Sequence, residues 1–128
     1  TVNKRMVLLE KEWGRYKYAV LERSPVIYQA IRTLLKDKEA YPVQEFDHLI
    51  DTVFAEEPHP GCAENAAAHV WGYFKKHATD TERRQYEKNL ANFRTGSGTR
   101  ATLKRQLFRL AQKYQSEYLL QSLYFYLD

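Results

Sequence analysis

The residues best suited to chemistry in this chain lie in one stretch, "CAENAAAHVWGYFKKH", between Cys62 and His77. Cysteine and histidine together can bind a metal ion or form a thiolate–imidazole pair. His69 and His77 stand two turns apart, roughly 12 Å along a helix, which is too far to share one ion. Cys62 is the only cysteine in the chain, and a pair with His59 would lack a third, orienting group. We therefore expect no metal site and no cofactor, and no catalytic residue follows from these spacings.

Helical geometry predicts a polar strip along the same stretch. At about 100° per residue, one narrow arc holds Asn65, His69, Gly72, Tyr73 and Lys76. Alanines and aromatic residues occupy the adjoining face, which predicts a core. The strip, called the polar arc below, is either a ligand-binding surface or a set of side chains that only satisfy one another. Gly72 costs about 1 kcal/mol in mid-helix, and close packing against a neighbouring helix is the interpretation we favour for it.

The elements that position the polar arc are all predicted to be helices. Apolar residues recur at spacings of three and four from end to end, which is the period of an α-helix. The first helix is predicted from about Val2 to Val20, the second after a Ser24 cap, and the third after Pro42. The "EEPHPG" segment then predicts a loop, because two prolines and a glycine disfavour regular structure.

The second half of the chain continues the helical pattern. The quoted stretch predicts a fourth helix that ends at about His77, and "TDTE" predicts a capping box for the fifth. Gly96 is placed to end that helix in a left-handed cap. After a sixth helix, a short last one from about Ser116 is apolar nearly all round, which predicts burial in its own core or against a second copy. We predict an all-α protein, a single compact domain of six to seven helices over residues 1–128.

Charge is distributed unevenly along the chain, although the net charge is only +4. Residues 37–64 hold eight acidic residues against one lysine, whereas residues 75–109 hold ten basic residues against three acidic ones. Such asymmetry predicts an electropositive face for phosphates or other anions. The alternative is that the acidic and basic segments pack side by side and largely cancel.

No segment of the sequence predicts a membrane or secretory location. The chain has one cysteine, lacks the pattern of a signal peptide near Thr1, and has no uncharged apolar run of about 20 residues. We expect a cytoplasmic protein that does not enter a membrane. Because the chain begins at Thr1 rather than at a methionine, the sequence leaves open what precedes it.

Four segments resemble the YbgA-like family, a helical bacterial domain of unknown function: "YKYAVLERSPVIY", "NAAAHVWGYFKKHATDTERRQY", "FRTG" and "YLLQSLYF". The resemblance covers nearly the whole chain. The family pattern falls on positions in three regions: Lys17, Tyr18, Ser24, Pro25, Tyr28, Asn65, His69, Gly72, Tyr73, Phe74, Lys75, Glu82, Arg83, Arg94, Gly96, Tyr118, Leu119, Gln121 and Tyr124. After Gly96 the chain departs from the pattern, with Leu110 where the family usually has a histidine.

The resemblance implies an association with nucleobases or nucleic acid. Such domains are encoded beside a DNA photolyase in some bacteria, and others follow a domain similar to thiouracil desulfidases. These associations imply no mechanism.

Three functions are open at this point. The first is a binding or accessory module for RNA, single-stranded DNA or a nucleotide, with Asn65, His69 and Tyr73 at a base and five cations at the phosphates: Lys76, Arg83, Arg94, Lys104 and Arg105. The second is a small enzyme acting on a nucleotide or thiolated base, with His69 as general acid or base and Lys17 or Arg83 as its electrostatic partner. The third is a homodimer or other homo-oligomer built on the tyrosine-rich first and last helices. A reachable His69 within hydrogen-bond range of a charged group would favour the enzyme.

Overall fold

Eight helical elements form the protein in a computed structural model that describes residues 4–127. The α-helices are α1 (Lys4–Leu21), α2 (Pro25–Leu34), α3 (Val43–Phe54), α4 (Pro60–Trp71), α5 (Asp80–Thr95), α6 (Arg100–Lys113) and α7 (Glu117–Leu120), followed by a 3-10 helix at Leu123–Phe125. No strand occurs in residues 4–127. The predicted all-α architecture, one compact domain of six to seven helices, is confirmed.

The central element of the fold is α1. It packs against α2, α3, α4 and the carboxyl-terminal 3-10 helix, while α6 packs against α4, α5 and α7. The apolar stripe predicted for α1 reaches the core through Met6, Leu9, Trp13 and Val20, all of them buried. Val2, predicted to begin this stripe, lies outside the described residues. One hydrophobic core includes residues from all seven α-helices.

Three of the predicted helix ends are confirmed. Ser24 Oγ accepts a hydrogen bond from the Ile27 amide at 3.1 Å at the start of α2. At the start of α5, the Thr79 amide donates to Glu82 Oε1 at 2.9 Å and the Glu82 amide donates to Thr79 Oγ1 at 3.1 Å, which is the predicted capping box. Gly96 ends α5 with a left-handed φ of 80°. Side chains and a glycine thus satisfy backbone groups that a helix end leaves without partners.

The fourth helix is shorter than predicted. It ends at Trp71, and residues 72–77 form turns instead of the helix expected to reach His77. Gly72 is exposed, and an added Cβ there would meet only backbone atoms of the preceding helical turn. The expected close approach of a neighbouring helix at Gly72 is therefore wrong. Glycine is a poor helix former, and α4 stops where it occurs.

The single short helix predicted at the end of the chain is two elements. After α7, Ser122 Oγ accepts a hydrogen bond from the Tyr124 amide at 3.2 Å and caps the 3-10 helix. Leu119 and Tyr124 are buried in the chain's own core, whereas Tyr118 is 42% exposed. This segment therefore fills part of the core of the chain. Self-association through its exposed residues stays a prediction.

The acidic and basic segments occupy different parts of the fold. From the acidic segment, α3 packs against α1 and α2, while from the basic segment α5 packs against α6. The two segments meet where the start of α4 packs near the end of α5 and the start of α6, and an ion pair between Glu64 and Arg94 joins them there. Separate placement of the main acidic and basic helices favours an electropositive face over mutual cancellation.

Candidate functional site

Three tyrosines from distant parts of the chain meet beside α1. Tyr18 lies in α1, Tyr73 in the turns after α4, and Tyr118 in α7. The hydroxyls of Tyr18 and Tyr73 share a hydrogen bond of 2.7 Å, and the rings of Tyr73 and Tyr118 stack with centres 5.9 Å apart. Tyr73 is 44% exposed and Tyr118 42%, so the stacked pair presents an aromatic surface to solvent. We call these three residues the tyrosine cluster.

A glycine in α1 allows the cluster to close. Tyr118 crosses Gly14 so closely that an added Cβ would lie 3.1 Å from Tyr118 Cε1. A larger side chain at this position would displace the ring from α1. The early end of α4 contributes as well, because the turns that follow it carry Tyr73 to its hydrogen bond with Tyr18.

A groove of about 360 Å³ opens beside Tyr118. It is lined by Glu10, Trp13, Gly14, Lys17, Arg32, Leu35, Lys36, Lys38 and Tyr118. Four of these side chains are cationic, and the one acidic residue, Glu10, forms an ion pair with Lys38 at 2.8 Å. The groove therefore combines a positive charge with aromatic walls.

Burial changes the protonation of the groups around the groove. It lowers the pKa of Lys17, and the Arg32 guanidinium lowers that pKa further. It raises the pKa of Tyr118 to about 12, with Tyr73 adding to the effect. Burial and the hydrogen bond to Tyr73 also raise the pKa of Tyr18. These two phenols therefore stay protonated at neutral pH, whereas Lys17 gives up its proton more readily than an exposed lysine.

His69 borders the tyrosine cluster from α4. Its side chain is exposed, and its ring centre lies 6.5 Å from that of Tyr18. Because a carbonyl can only accept, His69 Nδ1 donates the 2.9 Å hydrogen bond to the Asn65 carbonyl. Within the described chain, no charged side chain lies at hydrogen-bond distance from His69. A ligand can therefore reach the imidazole. His69 lacks the charged hydrogen-bond partner that would favour a role as general acid or base.

The structure brings together three of the seven predicted site residues. Lys17, His69 and Tyr73 all contact Tyr18, the first through a cation–ring distance of 5.8 Å. Asn65 joins them through its backbone carbonyl, while its side chain is exposed. The predicted polar arc does not exist as a helical strip, because α4 ends before Tyr73.

The other predicted cations lie away from the groove. Arg83 donates to the Lys75 carbonyl at 3.2 Å and so braces the turns before α5. Arg94 forms the ion pair with Glu64. Lys76 is exposed, but it follows the end of α4 and does not occupy the predicted helical face. None of these three cations lines the groove.

Lys104, predicted to hold phosphates, is buried and paired instead, because α6 turns this position toward the core. It is 6% exposed, and its Nζ donates to Glu22 Oε1 at 3.0 Å and to the Leu127 carbonyl at 3.1 Å. Glu22 has no exposed surface, and Arg23 Nη1 also donates to its Oε1 at 3.3 Å. The centre of the Tyr124 ring lies 4.3 Å from the ammonium. This buried charge cluster ties the end of α1 to α6.

Sequence reasoning missed Arg32, Lys36 and Tyr118 as residues that line a site. A usable signal was Gly14, because a glycine inside a long helix costs about 1 kcal/mol and often marks a close approach. Lys17 follows three residues later on the same helix face. Arg32 in α2 and Lys36 just after it carry no such local signal, since only the packing of α2 against α1 brings them to the groove.

The pair at His59 and Cys62 gains no support from the structure. No hydrogen bond joins their side chains in the part of the chain that is described. Across residues 4–127, no three or more His, Cys, Asp or Glu side chains are grouped so that they could hold a metal ion. None of the described helices has both the length and the apolar character that crossing a bilayer requires.

Comparison with known proteins identifies a family. The model of the family described as "Protein of unknown function (DUF1722)" matches residues 17–127. The match includes Lys17, His69 and the tyrosine cluster, and the resemblance to the YbgA-like family is consistent with it. No curated protein and no solved structure matches the chain. Because the match spans most of the chain, this protein belongs to the DUF1722 family.

Proposed function

We propose that this protein is a binding module for a planar ligand that carries a phosphate, namely a nucleotide or the terminal nucleotide of single-stranded RNA or DNA. One observation carries the proposal: Lys17, Arg32 and Lys36 line the same groove as the half-exposed ring of Tyr118. Bases stack on aromatic side chains, and phosphates bind to lysine and arginine. Both parts of a nucleotide therefore have chemical partners in one site.

The tyrosine cluster supports the stacking of a base. Tyr73 and Tyr118 are already stacked with an angle of 27° between their planes, and neither ring is fully covered. A base stacked on such a ring gains about 1–3 kcal/mol. Because Tyr18 holds Tyr73 through a hydrogen bond of 2.7 Å, binding costs little side-chain entropy.

The charges of the groove support the binding of a phosphate. Glu10 neutralises Lys38, and the remaining cations of the groove are Lys17, Arg32 and Lys36. A guanidinium can bind two phosphate oxygens at once. The volume of about 360 Å³ is near the lower end of the range for small-molecule sites. We therefore take a single nucleotide as the unit that is bound.

Isothermal titration calorimetry with uridine 5′-monophosphate, adenosine 5′-monophosphate and a short oligouridylate tests this proposal. We expect binding that weakens as salt rises. Arg32→Gln should weaken it about tenfold or more, since a hydrogen bond to a charged group contributes about 1.5–3 kcal/mol. Tyr118→Leu should weaken it about fivefold or more through the loss of stacking. Arg84→Gln, an exposed cation of α5 outside the groove, is the matched control and should bind as the wild type does.

The ligands also separate the two sources of a nucleotide. Tighter binding of the oligouridylate than of the mononucleotides would assign a nucleic-acid strand, and equal affinities would assign a free nucleotide. Absence of binding for all three ligands at about 1 mM, which corresponds to about −4 kcal/mol, would contradict the proposal. Equal affinities of the wild type, Arg32→Gln and Arg84→Gln would contradict it as well. Thermal denaturation of each variant establishes that a loss of binding is not a loss of fold.

A further inference from the structure

Lys17 has surroundings unlike those of an ordinary surface lysine. Its side chain is partly buried in the groove, with Nζ 5.8 Å from the centre of the Tyr18 ring, and Arg32 lines the same groove. Among residues 4–127 it forms no ion pair and no hydrogen bond. The carboxylate of the groove, Glu10, is engaged by Lys38. The Lys17 ammonium therefore loses hydration and gains no anion in return.

We propose that the Lys17 amine is a nucleophile that forms an imine with a small aldehyde or ketone bearing a phosphate or carboxylate group. The inference rests on the proposed function for the anion-binding groove, but it needs no nucleotide. Arg32 and Lys36 bind the anionic group, and Lys17 meets the carbonyl carbon in the same groove. Binding the anion first makes the attack on the carbonyl effectively intramolecular.

Two effects of the surroundings favour the neutral amine, which is the nucleophilic form. Burial lowers the pKa of Lys17, and the positive charge of Arg32 lowers it further. A lower pKa leaves a larger fraction of the amine neutral and nucleophilic at a given pH. Lys11 lies exposed on the same helix and does not line the groove. It therefore provides an internal comparison.

The proposed step is a condensation that needs no oxidant or reductant. The lone pair of the amine nitrogen bonds to the carbonyl carbon, and a proton from the nitrogen moves to the carbonyl oxygen, which gives a carbinolamine. The hydroxyl then leaves with the second nitrogen proton as one water, and a carbon–nitrogen double bond remains. Tyr118 lines the groove and keeps its phenol proton at neutral pH, so it can donate a hydrogen bond to the departing oxygen.

Reductive trapping with pyridoxal 5′-phosphate tests the inference. Borohydride reduces an imine to a stable secondary amine, and peptide mass spectrometry then gives the rate of labelling at each lysine. Because the groove holds the phosphate of the probe beside Lys17, we expect Lys17 to be labelled about ten times faster than Lys11. Pyridoxal without its phosphate should lose most of this preference. Arg32→Gln should slow labelling at Lys17 alone. Lys17→Arg should remove the fast site, and the matched Lys11→Arg should leave the rate at Lys17 unchanged.

Equal rates at Lys17 and Lys11 would overturn the inference, and so would a rate at Lys17 that does not depend on the phosphate of the probe. The result is separate from that of the proposed function. Nucleotide binding without selective labelling would remove the imine chemistry alone, whereas selective labelling without nucleotide binding would remove the nucleotide alone. Protection of Lys17 by uridine 5′-monophosphate would support a single groove for both.

Discussion

Replacing Lys104 by methionine should destabilise the fold far more than the loss of an ordinary lysine does. The variant lacks the ammonium that neutralises Glu22, a carboxylate with no exposed surface. It loses the 3.0 Å hydrogen bond to Glu22, the 3.1 Å hydrogen bond to the Leu127 carbonyl and the contact with the Tyr124 ring. Methionine is flexible and of similar length, so the main loss is electrostatic.

The expected loss of unfolding free energy depends on which partners of Glu22 remain in the variant. Removal of one member of a buried ion pair costs about 3–5 kcal/mol. Arg23 still donates to the same Glu22 oxygen at 3.3 Å and offsets part of the loss, so we expect a decrease of about 3 kcal/mol in the free energy of unfolding. With a slope of about 2 kcal/mol per M of urea, the unfolding midpoint falls by roughly 1.5 M. This is a large part of the roughly 5–15 kcal/mol that stabilises a domain.

The cost should also increase with pH. Burial raises the pKa of Glu22, although Lys104, Arg100 and Arg23 act in the opposite direction, and removal of Lys104 raises that pKa further. A carboxyl group with a higher pKa in the folded state contributes stability below its unfolded pKa and loses it as pH rises through the folded value. Lys104→Met should therefore be destabilised less in mildly acidic than in mildly alkaline solution.

Urea unfolding followed by circular dichroism measures these differences. Arg105→Met, at the exposed neighbouring position of α6, is the matched control and should change stability by about 0.5 kcal/mol or less. The double variant Glu22→Gln with Lys104→Met should be more stable than Lys104→Met alone, because both charges leave the core together. Equal midpoints for Lys104→Met and Arg105→Met, or additive costs in the double variant, would refute the reasoning.

Two further predictions concern the ends of α5. Burial acts against the charged form of Glu82, but hydrogen bonds from Lys113, Tyr114 and the Thr79 amide outweigh it and lower its pKa from 4.5 to about 2. The stability that this carboxylate provides is present above its unfolded pKa and is lost as pH falls through the folded value. Glu82→Gln should therefore flatten the acid side of the urea-midpoint profile, and a profile unchanged from that of the wild type would contradict this. Gly96→Ala, at a left-handed φ of 80°, should cost about 1–2 kcal/mol in thermal unfolding. Gly61→Ala is the control, because Gly61 lies inside α4 and an added Cβ there would meet open space. It should increase the free energy of unfolding by about 0.4–1 kcal/mol. Equal melting temperatures for the two variants would count against the left-handed cap.

The sequence predicts three helix boundaries correctly because they depend on local signals. Ser24, Thr79 and Gly96 act within one turn of the chain, through a side-chain hydrogen bond or a left-handed backbone. The end of α4 was predicted wrongly because Phe74 keeps the helical spacing of buried residues although it lies in the turns. Periodicity alone therefore does not distinguish a helix from a compact series of turns that buries the same side chain.

The candidate site is predictable only in part from one sequence. His69 and Tyr73 are predicted from helical spacing and from the family resemblance, and Lys17 is predicted from the family resemblance. Arg32 and Lys36 reach the groove through the packing of α2 against α1, and no local pattern encodes that packing.

The burial of Lys104 is indicated by its spacing from apolar residues, although its charge suggests an exposed position. Its position directly follows Leu103 and precedes Leu107 by three residues, so it falls within the wide apolar stripe of a core-facing helix. Charged residues are seldom fully buried unless they are paired. Lys104 can be buried because it is paired with Glu22, which lies just beyond α1 and far away in the sequence.

Because the groove needs both Gly14 and Tyr118, it can form only late in the synthesis of the chain. Gly14 belongs to the first helix and Tyr118 to α7, so a chain emerging from the ribosome presents one wall of the groove long before the other. Contacts between such distant positions close a long loop and form slowly. A nascent chain therefore has no complete groove until α7 has docked, so the ligand that we propose for this groove would bind only to the finished fold and would stabilise it by mass action.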